Sequence, residues 1–365
     1  MNKQFKIPMS KPDFSKEEEE SLIRVFKSNW PSQGKITEEF EYLLSDYLNS
    51  NAVVVNNGSS ALMCALLAHG IKPGDKVIVP AFTFIASSSI PKILGAEIIV
   101  ADIDPGTLNT TPEIVEDLLK KHNVRFVIVV DVAGLPTDID SFTELAKKYN
   151  FILIEDAAQA FGSEYKNKKI GAFSHLTIFS FQIAKQITTI EGGCIGTTNE
   201  SIIKKINQIK DYGRNKNEMY VHDIIGSNFR TTDLQSAIGI QQLKRAQKHI
   251  ERRNNIAEQY KKKINQVNFQ KIPPFVSKHS YMLFFALANN KEERNNYTKY
   301  CSNNGIDVRK SWTPIHMQPC NLELKKCKCP NSEKVFENSF TLPIFNSMTL
   351  DEANIVIEAI REFNK

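Results

Sequence analysis

Short apolar segments rich in β-branched residues recur through the first half of the chain. They are nearly continuous in Val, Ile and Leu, which is typical of strands buried on both faces of a mainly parallel sheet. Six segments predict strands, at Ala52–Val55, Lys76–Pro80, Ala96–Val100, Arg125–Val130, Phe151–Glu155 and Leu176–Phe181.

Helical patterns separate most of these strands. The clearest are predicted at Ser59–His69, Thr111–Lys121 and Ser141–Tyr149. The first is expected to end at Gly70, because glycine suits the left-handed conformation that closes many helices. The alternation of strands and helices predicts an α/β sandwich with right-handed crossovers.

The pattern changes after about residue 200. A single polar helix is predicted over Thr232–Lys263, where apolar residues recur at helical spacing. Beyond it, Tyr281–Ala288 predicts a strand and Glu292–Asn303 a helix. Thr349 and Glu352 have the spacing of a capping box at the start of a last helix. We therefore expect a smaller, mixed domain after the long helix.

Length and charge narrow the function classes. A chain of 365 residues corresponds to about two domains. The net charge of +5 has no block of like charge, so nucleic acid is not an expected partner, whereas an anionic small molecule is compatible with it. Met1–Ser10 has no apolar core, and polar residues interrupt Val77–Ala101, so we expect no membrane segment and a cytoplasmic location.

The six cysteines are scattered, which does not indicate a disulfide framework. Cys327 and Cys329 are too close in sequence for the usual zinc knuckle, and nearby His316 and Cys320 do not complete one. Reduced, structural thiols are expected, and no metal.

An aspartate and a lysine follow two of the predicted strands. Asp156 ends the strand at Phe151–Glu155, and Lys185 lies just beyond the strand ending at Phe181. Both side chains are expected at the carboxyl edge of the sheet, where α/β folds place ligands. Pyridoxal phosphate needs this pair: the lysine forms a Schiff base with its aldehyde, and the carboxylate keeps its ring nitrogen protonated. Taken singly, Lys185 is typical of a surface lysine, and Asp156 equally of a helix cap.

A third segment is suited to a phosphate. Asn57-Gly58-Ser59-Ser60 lies between the strand Ala52–Val55 and an Ala- and Leu-rich helix. Free peptide N–H groups and serine hydroxyls at a helix N-terminus favour a bound dianion. A simple N-cap without a ligand explains the same residues.

These segments and others give the chain a family resemblance over nearly its whole length. The motifs that carry it stand in the family's order, at residues 29–34 (Asn-Trp-Pro-Ser-Gln-Gly), 57–62, 80–84, 155–160, 179–185, 191–193, 228–235 and 314–316. The chain resembles the DegT/DnrJ/StrS family of sugar aminotransferases, pyridoxal-phosphate enzymes that act on nucleotide-linked keto sugars. The resemblance implies the aspartate-aminotransferase fold (fold type I), with a large, mainly parallel α/β domain and a smaller mixed α/β C-terminal domain.

The resemblance also implies a role for individual residues. Lys185 would hold the cofactor aldehyde, Asp156 the ring nitrogen, Gln159 the side of the ring hydroxyl, and Phe84 the ring face. The phosphate would lie on Gly58, Ser59, Ser60 and Ser180. Asn228 would reach the cofactor phosphate of the neighbouring subunit, so a homodimer with shared sites is implied. Arg230 and His316 occupy segments that approach the substrate in relatives, although a structural role is equally compatible.

Since all these elements except His316 precede residue 245, we place the domain boundary there, with residues 1–245, including an N-terminal arm, in the large domain and 246–365 in the small one.

Three departures from the family pattern make transfer of a substrate from any relative unsafe. Asp131 and Gln182 stand where histidine is frequent, and Ile190 where glycine is common. Lys185 favours transamination, because dehydratase relatives carry histidine there. The implied donor is L-glutamate, and the implied role is bacterial surface glycan or polysaccharide biosynthesis.

Alternatives remain open at this point. They are another fold-type-I enzyme, either an amino-acid aminotransferase or a lyase, and a non-catalytic homologue that acts as a sensor. A dinucleotide-dependent oxidoreductase would need Gly-x-Gly-x-x-Gly after the first strand, and the segment at Asn57 lacks it.

Overall fold

The computed structural model describes residues 5–215, 217–218 and 220–363. The α-helices of these ranges are α1 (Lys16–Lys27), α2 (Lys35–Leu48), α3 (Gly58–Ala68), α4 (Ala86–Ile93), α5 (Pro112–Leu119), α6 (Ile139–Tyr149), α7 (Glu200–Ile209), α8 (Asp233–Lys244), α9 (Ala246–Lys263), α10 (Lys291–Asn303), α11 (Pro330–Asn338) and α12 (Leu350–Glu362). The strands are β1 (Asn51–Val55), β2 (Lys76–Pro80), β3 (Glu97–Ala101), β4 (Phe126–Val130), β5 (Ile152–Asp156), β6 (Glu164–Tyr165), β7 (Lys168–Lys169), β8 (Leu176–Ser180), β9 (Gly193–Thr197), β10 (Asn268–Phe269), β11 (Val276–Lys278), β12 (Phe284–Leu287), β13 (Arg309–Lys310) and β14 (Ser339–Leu342).

The main sheet has seven strands in the order β1-β9-β8-β5-β4-β2-β3. Four neighbouring pairs are parallel, and only β9 runs antiparallel to both of its neighbours. The predicted mainly parallel sheet is therefore confirmed. Every residue of β4 and β8 is buried, as expected for near-continuous apolar strands covered on both faces.

The topology brings three chain segments to one edge of this sheet. Asp131 follows β4, Asp156 ends β5 and Ser180 ends β8, and parallel strands present these carboxyl ends together. Helix α3 begins three residues after β1, beside the start of β9. This edge is where α/β sheets bind ligands.

A second, antiparallel sheet lies in the C-terminal part, in the order β10-β12-β14-β13. It shares an apolar core with α9, α10 and α12. The N-terminal arm reaches the same core: Ile7 is buried there and pairs with Ile306. The peptide N–H of Ile7 donates to Gly305, and that of Asp307 donates to Ile7. The division at residue 245 stays a proposal.

Two predicted elements were wrong in extent. The helix predicted over Thr232–Lys263 is two helices, interrupted at Arg245 (φ −102°, ψ 0°), because α8 packs against α1 and α2 whereas α9 packs against α12. The strand predicted from Tyr281 begins only at Phe284, since Tyr281 has a φ of +46° and the peptide N–H of Met282 donates to Ala133 instead of to a strand.

Two predictions about helix ends were confirmed. Gly70 has a φ of +66° two residues after the end of α3, and Thr349 and Glu352 form the predicted capping box. Among the described residues all six cysteines are free, no cluster of His, Cys, Asp or Glu is arranged to hold a metal, and no helix is long and apolar enough to cross a membrane.

Candidate active site

A cavity of about 740 Å³ opens at the carboxyl edge of the main sheet. Seven of the residues predicted for the site line it: Gly58, Ser59, Phe84, Asp156, Gln159, Ser180 and Lys185. The C-terminal part closes the other side with Met282, Leu283, Arg309 and Trp312. The cavity therefore lies between the main sheet and the C-terminal part.

The N-terminus of α3 forms one end of the cavity. The side chain of Asn57 caps the helix by accepting the peptide N–H of Ser60 at 2.8 Å. No acceptor in the described ranges meets the peptide N–H groups of Gly58 and Ser59, which leaves two donors for an anion. A Cβ on Gly58 would lie 2.9 Å from the Cβ of Ser180, so only glycine allows the serine this close.

Asp156 is held firmly at the end of β5. Its Oδ2 accepts the hydroxyl of Ser87 at 2.7 Å, and its Oδ1 accepts the peptide N–H of Ala158 at 3.2 Å. Burial raises the pKa of Asp156, while these hydrogen bonds and the nearby Lys185 lower it. The helix cap considered from sequence is not observed, because no helix follows: residues 158 and 159 form a turn.

Lys185 lies in the turn after β8. Burial lowers the pKa of its amine to about 8, against the opposing influence of Asp156, and Arg253 lowers it further. A lysine amine with such a pKa has a far larger neutral fraction near physiological pH than an ordinary lysine, which suits a nucleophile or a proton carrier.

Gln159 and Phe84, the two residues predicted to lie beside the cofactor ring, both line the cavity. Gln159 is 4% exposed, and its Oε1 accepts the peptide N–H of Ala133 at 2.9 Å. Its amide nitrogen has no recorded hydrogen bond within the described ranges and can donate into the cavity. Phe84 is 56% exposed and presents an apolar face to the cavity.

Four predicted site residues lie outside this cavity. Ser60 is buried and its N–H is taken by Asn57. Asn228 is exposed, on the segment between α7 and α8. Such exposure is what contact with another subunit requires. Arg230 pairs with Asp211 and covers the ring of Tyr212. His316 is buried, with its Nε2 3.0 Å from Glu333. The roles predicted for these four residues stay predictions.

Sequence reasoning missed the wall from the C-terminal part. Arg309 lines the cavity, and its guanidinium forms an ion pair with Asp307, in which Nη2 lies 2.6 Å from Oδ2. Trp312 packs edge-on against Phe285 and beside Phe82, which ties this wall to both sheets. A signal existed in the sequence, because Trp312 is one of only two tryptophans and stands four residues before His316.

The donor set fits pyridoxal 5'-phosphate. The cradle at Gly58 offers free N–H groups and a serine hydroxyl for a phosphate, and the cavity holds one carboxylate and one lysine amine whose pKa is lowered to about 8. Gln159 adds an unpaired amide donor between them.

Comparisons with known proteins give the family and the fold of the chain. The model of the DegT/DnrJ/EryC1/StrS aminotransferase family matches residues 12–361. The chain is 35% identical to the GDP-perosamine synthase of Escherichia coli O157:H7, over 98% of each chain. It is 30% identical to the spore coat polysaccharide biosynthesis protein SpsC of Bacillus subtilis (strain 168), over 98% of this chain and 97% of the relative. Among solved structures, S. venezuelae DesV in complex with a ketimine intermediate matches with a TM-score of 0.93 and 27% identity, over 98% of each chain.

Proposed function

Because the chain belongs to the DegT/DnrJ/EryC1/StrS aminotransferase family, whose enzymes depend on pyridoxal 5'-phosphate, we propose that it transfers the amino group of L-glutamate to a keto group of a nucleotide-linked sugar. The fold is the aspartate-aminotransferase-like fold type I, as expected. The observation that carries the proposal is the cavity in which Lys185 and Asp156 face the phosphate cradle of α3.

Each residue of the cavity has a distinct task in this proposal. The peptide N–H groups of Gly58 and Ser59 and the hydroxyl of Ser180 would hold the cofactor phosphate, and Asp156 would keep the ring nitrogen protonated. The bound cofactor supplies an electron sink for the carbon that loses its proton. Phe84 covers one ring face and limits access of water. Lys185 would hold the cofactor aldehyde, and its amine, with a lowered pKa, would serve as the proton carrier of the site.

The sugar nucleotide brings a diphosphate, which needs cationic or N–H donors. Arg309 lines the cavity, and its side chain is 65% exposed. Its guanidinium can therefore bind a phosphate without breaking its ion pair with Asp307. Arg230 and His316 remain candidates for substrate contact. The name of the Escherichia coli relative makes a GDP-linked keto sugar the first substrate to test, in a role in surface polysaccharide biosynthesis.

We propose a homodimer with shared sites as the working unit. Asn228 lies outside its own cavity, on an exposed segment that also carries Tyr212 and Ile225 as exposed apolar side chains. Apolar side chains exposed near a site favour contact with a second copy.

The visible spectrum tests the proposal. We expect the purified protein with pyridoxal phosphate to be yellow, to bleach when L-glutamate is added, and to regain colour when a GDP-linked keto sugar is added. Lys185→Ala should lose the original absorbance, whereas Lys166→Ala, at an exposed ion pair, should retain it. A protein that binds no pyridoxal phosphate contradicts the proposal. Bleaching by glutamate that only free keto acids reverse supports an amino-acid aminotransferase, and a coloured protein that no donor bleaches supports a sensor.

A further inference from the structure

Two buried carboxyl groups meet on the far face of the main sheet from Asp156. Asp131 and Glu155 are both 0% exposed. Glu155 and Asp156 are consecutive in β5, so their side chains leave the strand on opposite faces. Asp131 follows β4, where Val129 pairs with Glu155, and therefore shares the face of Glu155.

One oxygen of each carboxyl group is satisfied by ordinary donors. The peptide N–H of Thr137 donates to Oδ1 of Asp131 at 2.9 Å. The hydroxyl of Thr177 donates to Oε2 of Glu155 at 2.9 Å, and Nε2 of His175 lies 3.0 Å from the same oxygen. The other two oxygens, Oδ2 of Asp131 and Oε1 of Glu155, are buried and receive no N–H or O–H donor from another side chain or peptide in the described ranges.

No charge in the surroundings offsets two ionised carboxylates here. Among the described residues, neither Asp131 nor Glu155 forms an ion pair with a lysine or arginine. His175 faces Glu155, but burial lowers the pKa of this histidine to about 4, so it is a neutral donor. Two adjacent carboxylates in a low-dielectric interior do not both ionise, and a single proton between them satisfies both oxygens.

We propose that Asp131 and Glu155 share one proton between Oδ2 and Oε1, and that this acid pair is a positioning element for Asp156 and Gln159. The peptide N–H of Asp131 donates to the carbonyl of Asp156 at 3.1 Å. Two residues on, the peptide N–H of Ala133 holds Oε1 of Gln159. The pair thus anchors the turn after β4 to which both residues are bonded, and the consequence for cofactor binding rests on the proposed function.

Sharing a proton makes stability depend on pH in a defined direction. Burial raises the pKa of Glu155 to about 7 and that of Asp131 well above its usual range, and the charge of Asp156 raises both. Glu155 raises the pKa of Asp131 further, whereas the hydrogen bond from Asp131 lowers that of Glu155. The groups facing the pair are Asp156 across the strand, with Lys185 beyond it, and His175. The folded state therefore keeps a proton that the unfolded chain releases above about pH 4.5, so this contribution to stability is lost as the pH rises toward 7.

The conservative variants Asp131→Asn and Glu155→Gln test the pair. Either amide can donate the hydrogen bond in place of the shared proton, so both variants should fold. In pH-difference infrared spectra of the cofactor-loaded enzyme, we expect a protonated carboxyl band near neutral pH that is lost in both variants and retained in Asp140→Asn, which removes an exposed, ion-paired carboxylate. The unfolding midpoint should fall between about pH 5 and pH 8 by less in Asp131→Asn than in the unsubstituted enzyme.

The positioning role has its own measurement. Asp131→Leu leaves Glu155 without its partner and should weaken pyridoxal-phosphate binding about tenfold, while Asp131→Asn should restore most of it. A carboxyl band that persists in both conservative variants, or an unchanged pH dependence in Asp131→Asn, overturns the shared proton. Equal cofactor affinity in Asp131→Leu overturns the positioning role. If the infrared band behaves as expected and no form binds the cofactor, the shared proton stands and the proposed function fails.

Discussion

At the scale of single residues, the protonation state of Lys185 decides what the cavity can do. Burial removes water from the ammonium form, and Arg253 repels it, whereas Asp156 and Glu191 attract it. Burial prevails, and the pKa is lowered to about 8. A solvent-exposed lysine, with a pKa of about 10.4, would be almost entirely charged at pH 8.

This balance predicts how the cofactor-free protein takes up pyridoxal phosphate. Only the neutral amine attacks an aldehyde, so the rate of colour formation should rise as the pH rises through about 8 and level off above it. Stopped-flow absorbance measures this rate, and Lys166→Ala should give the same profile because that lysine is exposed and paired with Asp140. A rate that keeps rising to the usual lysine pKa near 10.5 contradicts the lowered value.

The site residues could be predicted from the sequence where they directly follow a predicted strand. Asp156 and Lys185 follow apolar strands, so the sheet edge that they share was evident from the pattern. Ser87 was not predictable, because it meets Asp156 across 69 residues of sequence from within a helix. Arg309 and Trp312 were missed for a related reason: they reach the cavity only because the second sheet packs over the first.

At the scale of elements, the phosphate cradle depends on β9 as much as on α3. A Cβ on Gly193 would lie 2.4 Å from the carbonyl oxygen of Asn57 and 2.8 Å from the peptide nitrogen of Gly58. These are backbone atoms, so no side-chain rotation relieves the clash. The strand therefore fixes how far the cradle can move.

We expect Gly193→Ala to displace the cradle and to weaken pyridoxal-phosphate binding by about tenfold or more, with a loss of about 1–3 kcal/mol in the free energy of unfolding. Gly196→Ala is the matched control on the same strand, since its Cβ would meet nothing closer than 3.5 Å. Cofactor titration and denaturant unfolding measure both effects. Equal affinities in the two variants would show that the cradle does not rest on Gly193.

The same strand illustrates what the pattern of residues could not predict. β9 contains Gly193 and Gly196, and glycine is depleted in strands, so no strand was predicted there. The central parallel strands were predicted to within about a residue, because burial on both faces requires continuous apolar residues. The break between α8 and α9 was missed because both halves carry helical periodicity, and the interruption at Arg245 arises from packing on different partners.

At the scale of the whole molecule, the buried Arg253 connects segments that flank the second sheet to the turn of Lys185, which follows β8 of the main sheet. Its guanidinium donates to the carbonyl oxygens of Tyr281, Met282 and Ile344, and its Nε donates to Asn346 at 2.7 Å. Asn346 in turn donates to the carbonyl of Gln186, the residue after Lys185. Burial lowers the pKa of Arg253 to about 9, and within the described ranges no carboxylate pairs with it.

Arg253→Met should leave these carbonyl groups without donors and cost about 3–5 kcal/mol in the free energy of unfolding. Arg252→Met is the matched control, because its neighbouring guanidinium is only partly buried and donates to the single carbonyl of Met348. Denaturant unfolding compares them. If the two variants lose the same stability, Arg253 does not stabilise the connection between these segments.

The pairing of the N-terminal arm with residues 305–307 sets an order on biosynthesis. Ile7 is synthesised about 300 residues before Gly305 and Asp307, whose peptide groups bond to it. At about 5–20 residues per second, a ribosome takes roughly 15 to 60 s to add the intervening 300 or so residues. The main sheet is fully synthesised by Thr197 and can assemble in that interval. The partners of the arm emerge only with the second sheet, so the docking of the arm follows the synthesis of the whole main sheet.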